Sequence, residues 1–271
     1  MKEVIMKVTA DMQHDGHEIM VRKSNELIQK SRFDLSVEQQ RIVLFLISKI
    51  SPQDKEFKLY DFSIPEFCRV CGIDYDSGGN YGYLKSVLKA LRDKSVGAIL
   101  PDGRWTTIAW VEKPYIIPKN GTVQIRLDND MKPFLLELKE KFTQYELIYT
   151  LNFKSKYSIR LYELIKSRHF HEMDEYKFIY SIEELRQLIG ADDRKSYAQY
   201  TNFKARALVP AVNEINEMSD IDVEWDEKPK ARRGLSPKAI QFTVRPKDTA
   251  ARMKIRYKVE NDLGWDQVAL W

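Results

Sequence analysis

The stretch Phe62-Ser-Ile-Pro-Glu-Phe-Cys-Arg-Val-Cys-Gly72 has a counterpart later in the 271-residue chain, Tyr180-Ser-Ile-Glu-Glu-Leu-Arg-Gln-Leu-Ile-Gly190. A shift of 118 residues places Ser63 on Ser181 and Gly72 on Gly190, with matching apolar residues in between. Solenoid repeats have shorter periods than this, so the match indicates two copies of one domain.

Both copies contain local signals for where helices begin and end. Ser36 is followed three residues later by Gln39, and each repeat opens with Ser-x-x-Glu, which are capping-box patterns. Gly72 and Gly190 come at the ends of the short helices that follow, where a left-handed glycine commonly stops a helix.

The predicted elements follow the same order in each copy: helix, strand, short helix, longer helix and hairpin. Copy one places them at 36–50, 57–62, 63–72, 81–95 and 98–117, with the hairpin turning at Pro101-Asp-Gly103. Copy two places them at 155–170, 177–180, 181–190, 197–218 and 221–244. This is the order of a winged helix, in which the longer helix enters the DNA major groove and the hairpin is the wing. We therefore predict an α+β fold of two tandem winged-helix domains related by internal duplication.

We divide the chain into an N-terminal arm (1–20), a first winged-helix domain (21–145), a second (146–247) and a basic C-terminal tail (248–271). Hydrophobic residues make up 43% and charged residues 31%, an ordinary globular balance. The longest apolar run, Ile42-Val-Leu-Phe-Leu-Ile47, is too short for a membrane span, and no signal peptide is visible. Two cysteines do not make a disulfide framework, so we expect a cytoplasmic protein.

The start of the longer helix in copy two is the predicted main reading head. Ser196 is its expected N-cap, and Pro210 is expected to kink it. Polar residues between the apolar core positions should face outward, and they are Gln199, Tyr200, Asn202, Lys204 and Arg206. Asn and Gln can pair with adenine, and Lys and Arg with guanine. An ordinary solvated helix face has the same composition, so residue types alone leave both interpretations open.

The distribution of charge favours DNA binding. From Lys228 to Lys258 there are eleven basic residues and one acidic residue, Asp248, although the net charge of the whole chain is only +4. The densest part lies at the predicted tip of the second wing, where basic side chains would contact phosphates without regard to sequence. The predicted wing contacts are Lys228, Lys230, Arg232, Arg233 and Lys238.

Copy one has weaker sequence signals for DNA binding than copy two. Its longer helix carries Lys85, Lys89 and Arg92, which we predict to make secondary DNA contacts. Its predicted wing, Trp105-Thr-Thr-Ile-Ala-Trp110, is apolar and uncharged, which suits a protein interface better than a phosphate contact. We therefore expect the first domain to mediate dimerisation.

Two longer runs carry a family resemblance. Phe203-Lys-Ala-Arg-Ala-Leu-Val-Pro-Ala-Val-Asn-Glu-Ile-Asn216, closed by Ala239-Ile-Gln-Phe-Thr-Val244, resembles the initiator replication proteins of iteron-containing plasmids. Val21-Arg-Lys-Ser-Asn-Glu-Leu27, followed by Leu35-Ser-Val-Glu-Gln-Gln-Arg41, is similar to their N-terminal signature. The resemblance covers about residues 20–246. It implies that Lys204 and Arg206, on either side of Ala205, read bases. The family often has a second basic residue at that alanine, so base preference does not transfer.

The resemblance implies a function. Monomers would bind direct repeats (iterons) in the double-stranded DNA of a plasmid origin, open the neighbouring duplex and recruit the host replication initiator and replicative helicase. Dimers, in equilibrium with monomers, would bind an inverted repeat and repress the initiator's own gene, which controls plasmid copy number. The alternative is a plain winged-helix transcriptional repressor, which would use the same fold and groove contacts.

Three motifs are candidates for catalytic or metal chemistry. His169-Phe-His171 matches the metal motif of rolling-circle nicking endonucleases, but it falls at the end of a predicted helix, where residues two apart do not share a face. Cys68-Arg-Val-Cys71 lacks two further zinc ligands at a suitable spacing, and the repeat places Cys71 in the core. Ser77-Gly-Gly79 is too short to hold phosphate, and no Walker A sequence is present. We expect no catalytic activity, metal or cofactor.

Overall fold

The computed structural model describes residues 19–73, 81–100, 102–169, 174–229 and 236–263. Unit one, the first winged helix, is built in chain order from β1 (Met20–Ser24), α1 (Asn25–Lys30), α2 (Val37–Ser48), β2 (Tyr60–Ser63), α3 (Ile64–Cys71), α4 (Tyr81–Arg92), β3 (Ser95–Ile99), β4 (Trp105–Ala109), β5 (Tyr115–Ile117) and β6 (Thr122–Ile125). A 3₁₀ turn (Asn129–Met131), α5 (Lys132–Leu135), β7 (Phe142–Glu146) and α6 (Ile148–Leu151) follow it.

Unit two repeats the pattern. It contains α7 (Lys156–Lys166), β8 (Tyr176–Ser181), α8 (Ile182–Leu188), a 3₁₀ turn (Lys195–Ala198), α9 (Tyr200–Phe203), a π-helical segment (Lys204–Leu208), α10 (Val209–Met218), β9 (Ile221–Lys228) and β10 (Ala239–Pro246). Helix α11 (Thr249–Leu263) ends the described chain. The prediction of an α+β fold with two tandem winged helices is confirmed.

The wing of unit one differs from the predicted one. In unit two, β10 lies between β8 and β9, and in unit one β6 lies between β2 and β5 in the same way. Strands β5 and β6 are therefore the wing of unit one. The hairpin predicted over 98–117 is wrong as a wing, because β3 and β4 pair with each other and with no other described strand. The turn near Gly103 forms as predicted. The hairpin that joins the winged-helix sheet is instead the one whose strand β6 pairs with β2, which is distant in the sequence.

The capping signals are mostly confirmed. Ser36 and Gln39 form a reciprocal capping box at the start of α2. The Ser181 hydroxyl accepts a hydrogen bond from the backbone N–H of Glu184. The capping box predicted at Ser63 is wrong, because its hydroxyl turns to the Glu66 carboxylate, at 3.3 Å, and leaves the backbone donors uncapped.

Gly190 follows α8 with a left-handed φ of 69° and also meets unit one. A Cβ atom at this position would collide with the backbone carbonyl oxygen of Phe33. A glycine is therefore required both for the turn and for the close approach of the two units.

The recognition helix, Tyr200–Met218, changes its winding in the middle. It begins after Gln199 rather than Ser196, whose predicted cap is wrong because 195–198 form a separate 3₁₀ turn. The kink predicted at Pro210 takes the form of the π-helical segment, in which the N–H of Val209 donates to the carbonyl of Lys204. This wider turn accommodates a proline that has no N–H to donate.

The two units share one continuous core and a buried cluster of charges between them. Lys23 and Arg160 donate to the two carboxylate oxygens of Glu163, at 2.7 and 2.8 Å, and each of these side chains is 1% exposed. The hydroxyl of Tyr145 also donates to Glu163, at 2.7 Å. Burial opposes ionisation of Glu163, but Lys23 and Arg160 outweigh it and hold the pKa of Glu163 below its ordinary value.

Arg160 extends this cluster to the backbone of both units. Its guanidinium donates to the carbonyls of Ile28 and Ser31 in unit one and of Leu188 in unit two. The Phe33 ring centroid lies 3.7 Å from the same guanidinium. Satisfied buried charges of this kind fix one arrangement of the elements that carry them.

Candidate nucleic-acid interface

Gln199, directly before the recognition helix, and Arg206, in its first half, are exposed, and Asn202 lies half-buried between them. The Asn202 amide donates to the Gln199 side-chain carbonyl at 3.0 Å and to the backbone carbonyl of Ser196 at 3.1 Å. These two carboxamides therefore support each other at the mouth of the helix. Arg206 is exposed, and within the described residues its side chain has no hydrogen bond or ion pair, so its guanidinium is available to DNA.

Tyr200 and Lys204 do not point outward as predicted. The Tyr200 hydroxyl and the Lys204 ammonium both donate to the same carboxylate oxygen of Glu227 on β9, at 2.7 and 2.8 Å. The Lys204 ammonium also lies 5.2 Å from the Trp225 ring centroid. The reason is that Tyr200 and Lys204 share the helix face that meets the wing strand. Both side chains are attached to the wing, although Lys204 remains 41% exposed.

The stem of the second wing places two predicted basic contacts side by side. The backbone N–H of Lys238 donates to the carbonyl of Lys228, which closes the hairpin. The Lys228 ammonium lies 3.9 Å from Asp226, and Lys238 is exposed. Three other predicted contacts, Lys230, Arg232 and Arg233, lie outside the described residues.

The longer helix of unit one brings its three predicted basic residues together. Lys85, Lys89 and Arg92 are exposed along α4 and line a groove of about 360 Å³ together with Ile116 of β5 and Pro114, which directly precedes that strand. Lys89 is also paired with Asp93 at 3.0 Å. This groove lies between the longer helix and the wing, where a winged helix meets DNA.

Other exposed polar residues at these surfaces were not among the predicted contacts. Thr201 and Lys195 are exposed next to the start of the recognition helix, and Lys119 is exposed in the turn between β5 and β6. Lys195 lies in a 3₁₀ turn that the sequence did not predict. Lys119 lies in the turn of the true wing, whereas the wing was predicted at another hairpin. Lys113 also lies near this wing, with its ammonium 5.5 Å from the Tyr115 ring centroid.

The segment predicted as a basic C-terminal tail forms helix α11 over Thr249–Leu263. Arg256 donates to Glu146 at 3.2 Å, and Lys258 pairs with Glu217 at 2.9 Å. Helix α11 therefore packs across the junction of the two units. Arg256 and Lys258, which we assigned to the tail, thus hold this helix against carboxylates of earlier elements.

Two of the three candidate motifs for chemistry have residues packed among other side chains. Cys68 and Cys71 are buried, and burial raises the pKa of the Cys68 thiol to about 11. His169 follows α7 and packs beside Tyr176, with the ring centroids 5.1 Å apart and the ring planes tilted by 45°, whereas His171 lies outside the described residues. The described part of the chain contains no group of three or more His, Cys, Asp or Glu placed to hold a metal ion. None of its helices has the length and apolar character needed to cross a bilayer.

Comparison with known proteins gives matches over both units. The family model described as "Initiator Replication protein, WH1" matches residues 20–166, and "Initiator Rep protein, WH2" matches residues 181–244. A "Replication initiation protein" of Escherichia coli is 22% identical over 217 residues, covering 78% of this chain and 66% of that protein. The "PI protein" of Escherichia coli is 27% identical over 138 residues, covering 47% of this chain and 45% of that protein. The matches thus span less than two thirds of either relative.

A solved structure shares the fold. The Pi initiator protein, crystallised in complex with iteron DNA, has a TM-score of 0.66 and 20% sequence identity, with coverage of 85% of this chain and 98% of that chain. The family resemblance found in the sequence is confirmed by these matches.

Proposed function

This chain belongs to the initiator replication protein family, and from that premise we propose that it initiates plasmid replication by binding the repeats (iterons) of a double-stranded origin. One observation carries the proposal: two winged helices with exposed basic residues on their longer helices are locked together by a shared core. A protein built in this way can contact two successive segments of one duplex.

The two units have unequal roles in this proposal. Unit two reads bases through Gln199, Asn202 and Arg206, and its wing adds phosphate contacts that are independent of sequence. Unit one contacts phosphates with the basic groove along α4, where the charge of Lys89 is partly neutralised by Asp93. The proposed boundary between the domains, after residue 145, falls within β7.

The hairpin of β3 and β4 is the proposed dimerisation surface. It is a two-stranded sheet whose outer edges pair with no other described strand, and Trp105 on it is 70% exposed. Free edges of this kind are a template for pairing with a second copy. Monomers would then bind iterons, while dimers would bind an inverted repeat and repress the initiator's own gene.

The protein would act by binding, without a catalytic step of its own. Origin opening would follow from bound monomers distorting the neighbouring duplex, and strand separation would be completed by a recruited host initiator and replicative helicase in the cytoplasm. The absence of a Walker A sequence from the chain supports this assignment of ATP-driven unwinding to partners.

The test uses purified full-length protein and the DNA that flanks its gene. We expect footprints on several direct repeats of about two helical turns each, bound by monomers, with both strands left uncut in the presence of Mg²⁺. Binding only to a single palindrome, and only as a dimer, would instead establish a transcriptional repressor. Nicking that is lost in His169→Ala would overturn the non-catalytic assignment.

A further inference from the structure

Glu227 faces the DNA-binding helix, although it belongs to the wing. Side chains along β9 alternate between the two faces of the sheet. Those on the inner face are Ile221, Val223, Trp225 and Glu227, whereas Glu224 and Asp226 are exposed on the other face. Glu227 is thus an acidic residue at a position whose neighbours on the same face pack toward the helix. Its side chain is only 14% exposed.

One oxygen of Glu227 accepts hydrogen bonds from both Tyr200 and Lys204. Burial and the neighbouring carboxylate of Glu227 raise the pKa of Tyr200, so that this phenol remains a neutral donor near pH 7. The charges of Lys204 and Glu227 cancel within this trio of side chains. Within the recognition helix, Lys204 and Arg206 are the basic residues of the sequence, so neutralising Lys204 leaves Arg206 as the unneutralised cation.

We propose that Glu227 is a specificity-determining residue, which keeps Lys204 from serving as a general phosphate contact and positions it for a base. The inference rests on the proposed function. A lysine ammonium has three N–H donors, and Glu227 uses one of them. Lys204 can therefore donate to an acceptor on a base edge, such as guanine O6 or N7, while it remains bonded to Glu227.

The carboxylate acts differently on correct and incorrect DNA. A base acceptor in the right place adds a hydrogen bond without separating Lys204 from Glu227. A phosphate that approaches in a random complex meets an ammonium already neutralised by Glu227, and the negative charge of the carboxylate opposes it. Nonspecific affinity is lowered more than specific affinity, and the ratio of the two rises.

The experiment compares Glu227→Gln with a matched control, Glu224→Gln. Glutamine keeps an acceptor for Tyr200 and Lys204 but removes the charge. Glu224 lies on the same strand but on the opposite face, where it pairs with Arg245, so the control makes the same change in net charge. Binding is measured on a duplex that the wild-type protein selects from a random pool and on a scrambled duplex of equal length and composition. Thermal melting establishes that each variant is folded.

We expect Glu227→Gln to bind the scrambled duplex about fivefold more tightly and to steepen its salt dependence by about one unit of log–log slope, as one added phosphate contact would. Affinity for the selected duplex should not rise, so the specificity ratio falls about fivefold. In a Lys204→Gln background, Glu227→Gln should leave the salt slope unchanged, because the lysine through which it acts is absent.

Three outcomes would overturn the inference. An unchanged specificity ratio in Glu227→Gln would do so, as would an equal effect of Glu224→Gln. A slope that still steepens in the Lys204→Gln background would mean that Glu227 repels DNA directly. If the wild-type protein itself selects no preferred duplex, the proposed function fails together with this inference. A wild-type protein that selects a duplex, with a specificity ratio that Glu227→Gln leaves unchanged, removes the inference alone.

Discussion

The ammonium of Lys23 donates a hydrogen bond of 2.7 Å to the carboxylate of Glu163, 140 residues further along the chain. Lys23 lies on β1 at the start of unit one, and Glu163 lies on α7 at the start of unit two. The bond therefore joins the two units at a buried position. Because Arg160 shares the same carboxylate, Glu163 is a single negative charge that faces two buried basic side chains.

Glu163→Gln should strongly destabilise the protein. It leaves Lys23 and Arg160 buried without a counter-ion, and removing one partner of a buried ion pair costs about 3–5 kcal/mol in the free energy of unfolding. The measurement is urea unfolding followed by circular dichroism. Glu26→Gln is the control, since it removes an exposed pair with Lys30 and should cost less than about 1 kcal/mol. Equal losses in both variants would mean that the buried cluster adds nothing.

The same carboxylate predicts an acid dependence of stability. Lys23 and Arg160 hold the folded-state pKa of Glu163 below its ordinary value of 4.5, so its ionised form favours the folded state. This contribution is complete above the unfolded-state pKa and is lost as the pH falls through the folded-state pKa. The difference in unfolding free energy between wild type and Glu163→Gln should therefore shrink below about pH 4.5. A difference that stays constant from pH 7 to pH 3 would contradict this origin.

Gly190→Ala should cost more stability than Gly103→Ala. Both glycines have left-handed φ values, 69° and 86°, so alanine suffers similar backbone strain, about 1–2 kcal/mol, at each position. A Cβ at position 103 meets open space, whereas one at position 190 collides with the Phe33 carbonyl. Urea unfolding should show an additional loss of at least about 1 kcal/mol for Gly190→Ala. Similar losses would show that the two units yield easily at this contact.

Arg206→Ala should weaken binding to the selected duplex by about 1–3 kcal/mol, as expected for a side chain that reads a base. Its guanidinium is exposed on the recognition helix without a partner in the described part of the chain. Fluorescence anisotropy on selected and scrambled duplexes measures the effect. The control is Arg69→Ala, an exposed arginine on α3, away from this helix. A parallel loss on both duplexes would assign Arg206 to a phosphate instead.

Trp105→Asp should shift the protein toward monomers. The indole is exposed on the β3–β4 hairpin, and an aromatic residue at the centre of an interface contributes about 2 kcal/mol or more, equivalent to about a thirtyfold or larger change in the dimer dissociation constant. Light scattering over a concentration series provides the measurement. Leu59→Asp, at another exposed apolar residue, is the control and should not change the association. A dimer that persists in Trp105→Asp places the interface elsewhere.

Much of the fold could be predicted because its signals are local. The Ser36–Gln39 cap, the Gly72 and Gly190 stops and the repeat register each depend on a few consecutive residues. The wing of unit one could not be found in this way. A turn signal such as the one near Gly103 indicates a hairpin, but pairing between β2 and β6, which are distant in sequence, decides which hairpin joins the sheet.

The candidate site was only partly predictable for a similar reason. Regular helical spacing placed Tyr200 and Lys204 outward, but their partner Glu227 comes from a strand more than twenty residues away. The sequence of β9 did contain a signal for that partner. Glu227 falls on the same face of the strand as the buried residues Ile221 and Val223. A carboxylate on the inner face is costly unless it accepts hydrogen bonds, so donors must lie opposite it. Here the donors are two side chains of the recognition helix.

The buried contacts between the units have a geometric consequence for DNA. Successive base pairs turn by about 34–36° around the duplex axis, since one helical turn takes about 10–10.5 base pairs. Two reading surfaces locked together by Glu163, Arg160 and Gly190 cannot rotate to follow an inserted base pair. For a protein that contacts DNA with both units, the spacing between the two contacted segments is then fixed as strictly as their sequence. One extra base pair between them should be as damaging as a changed base.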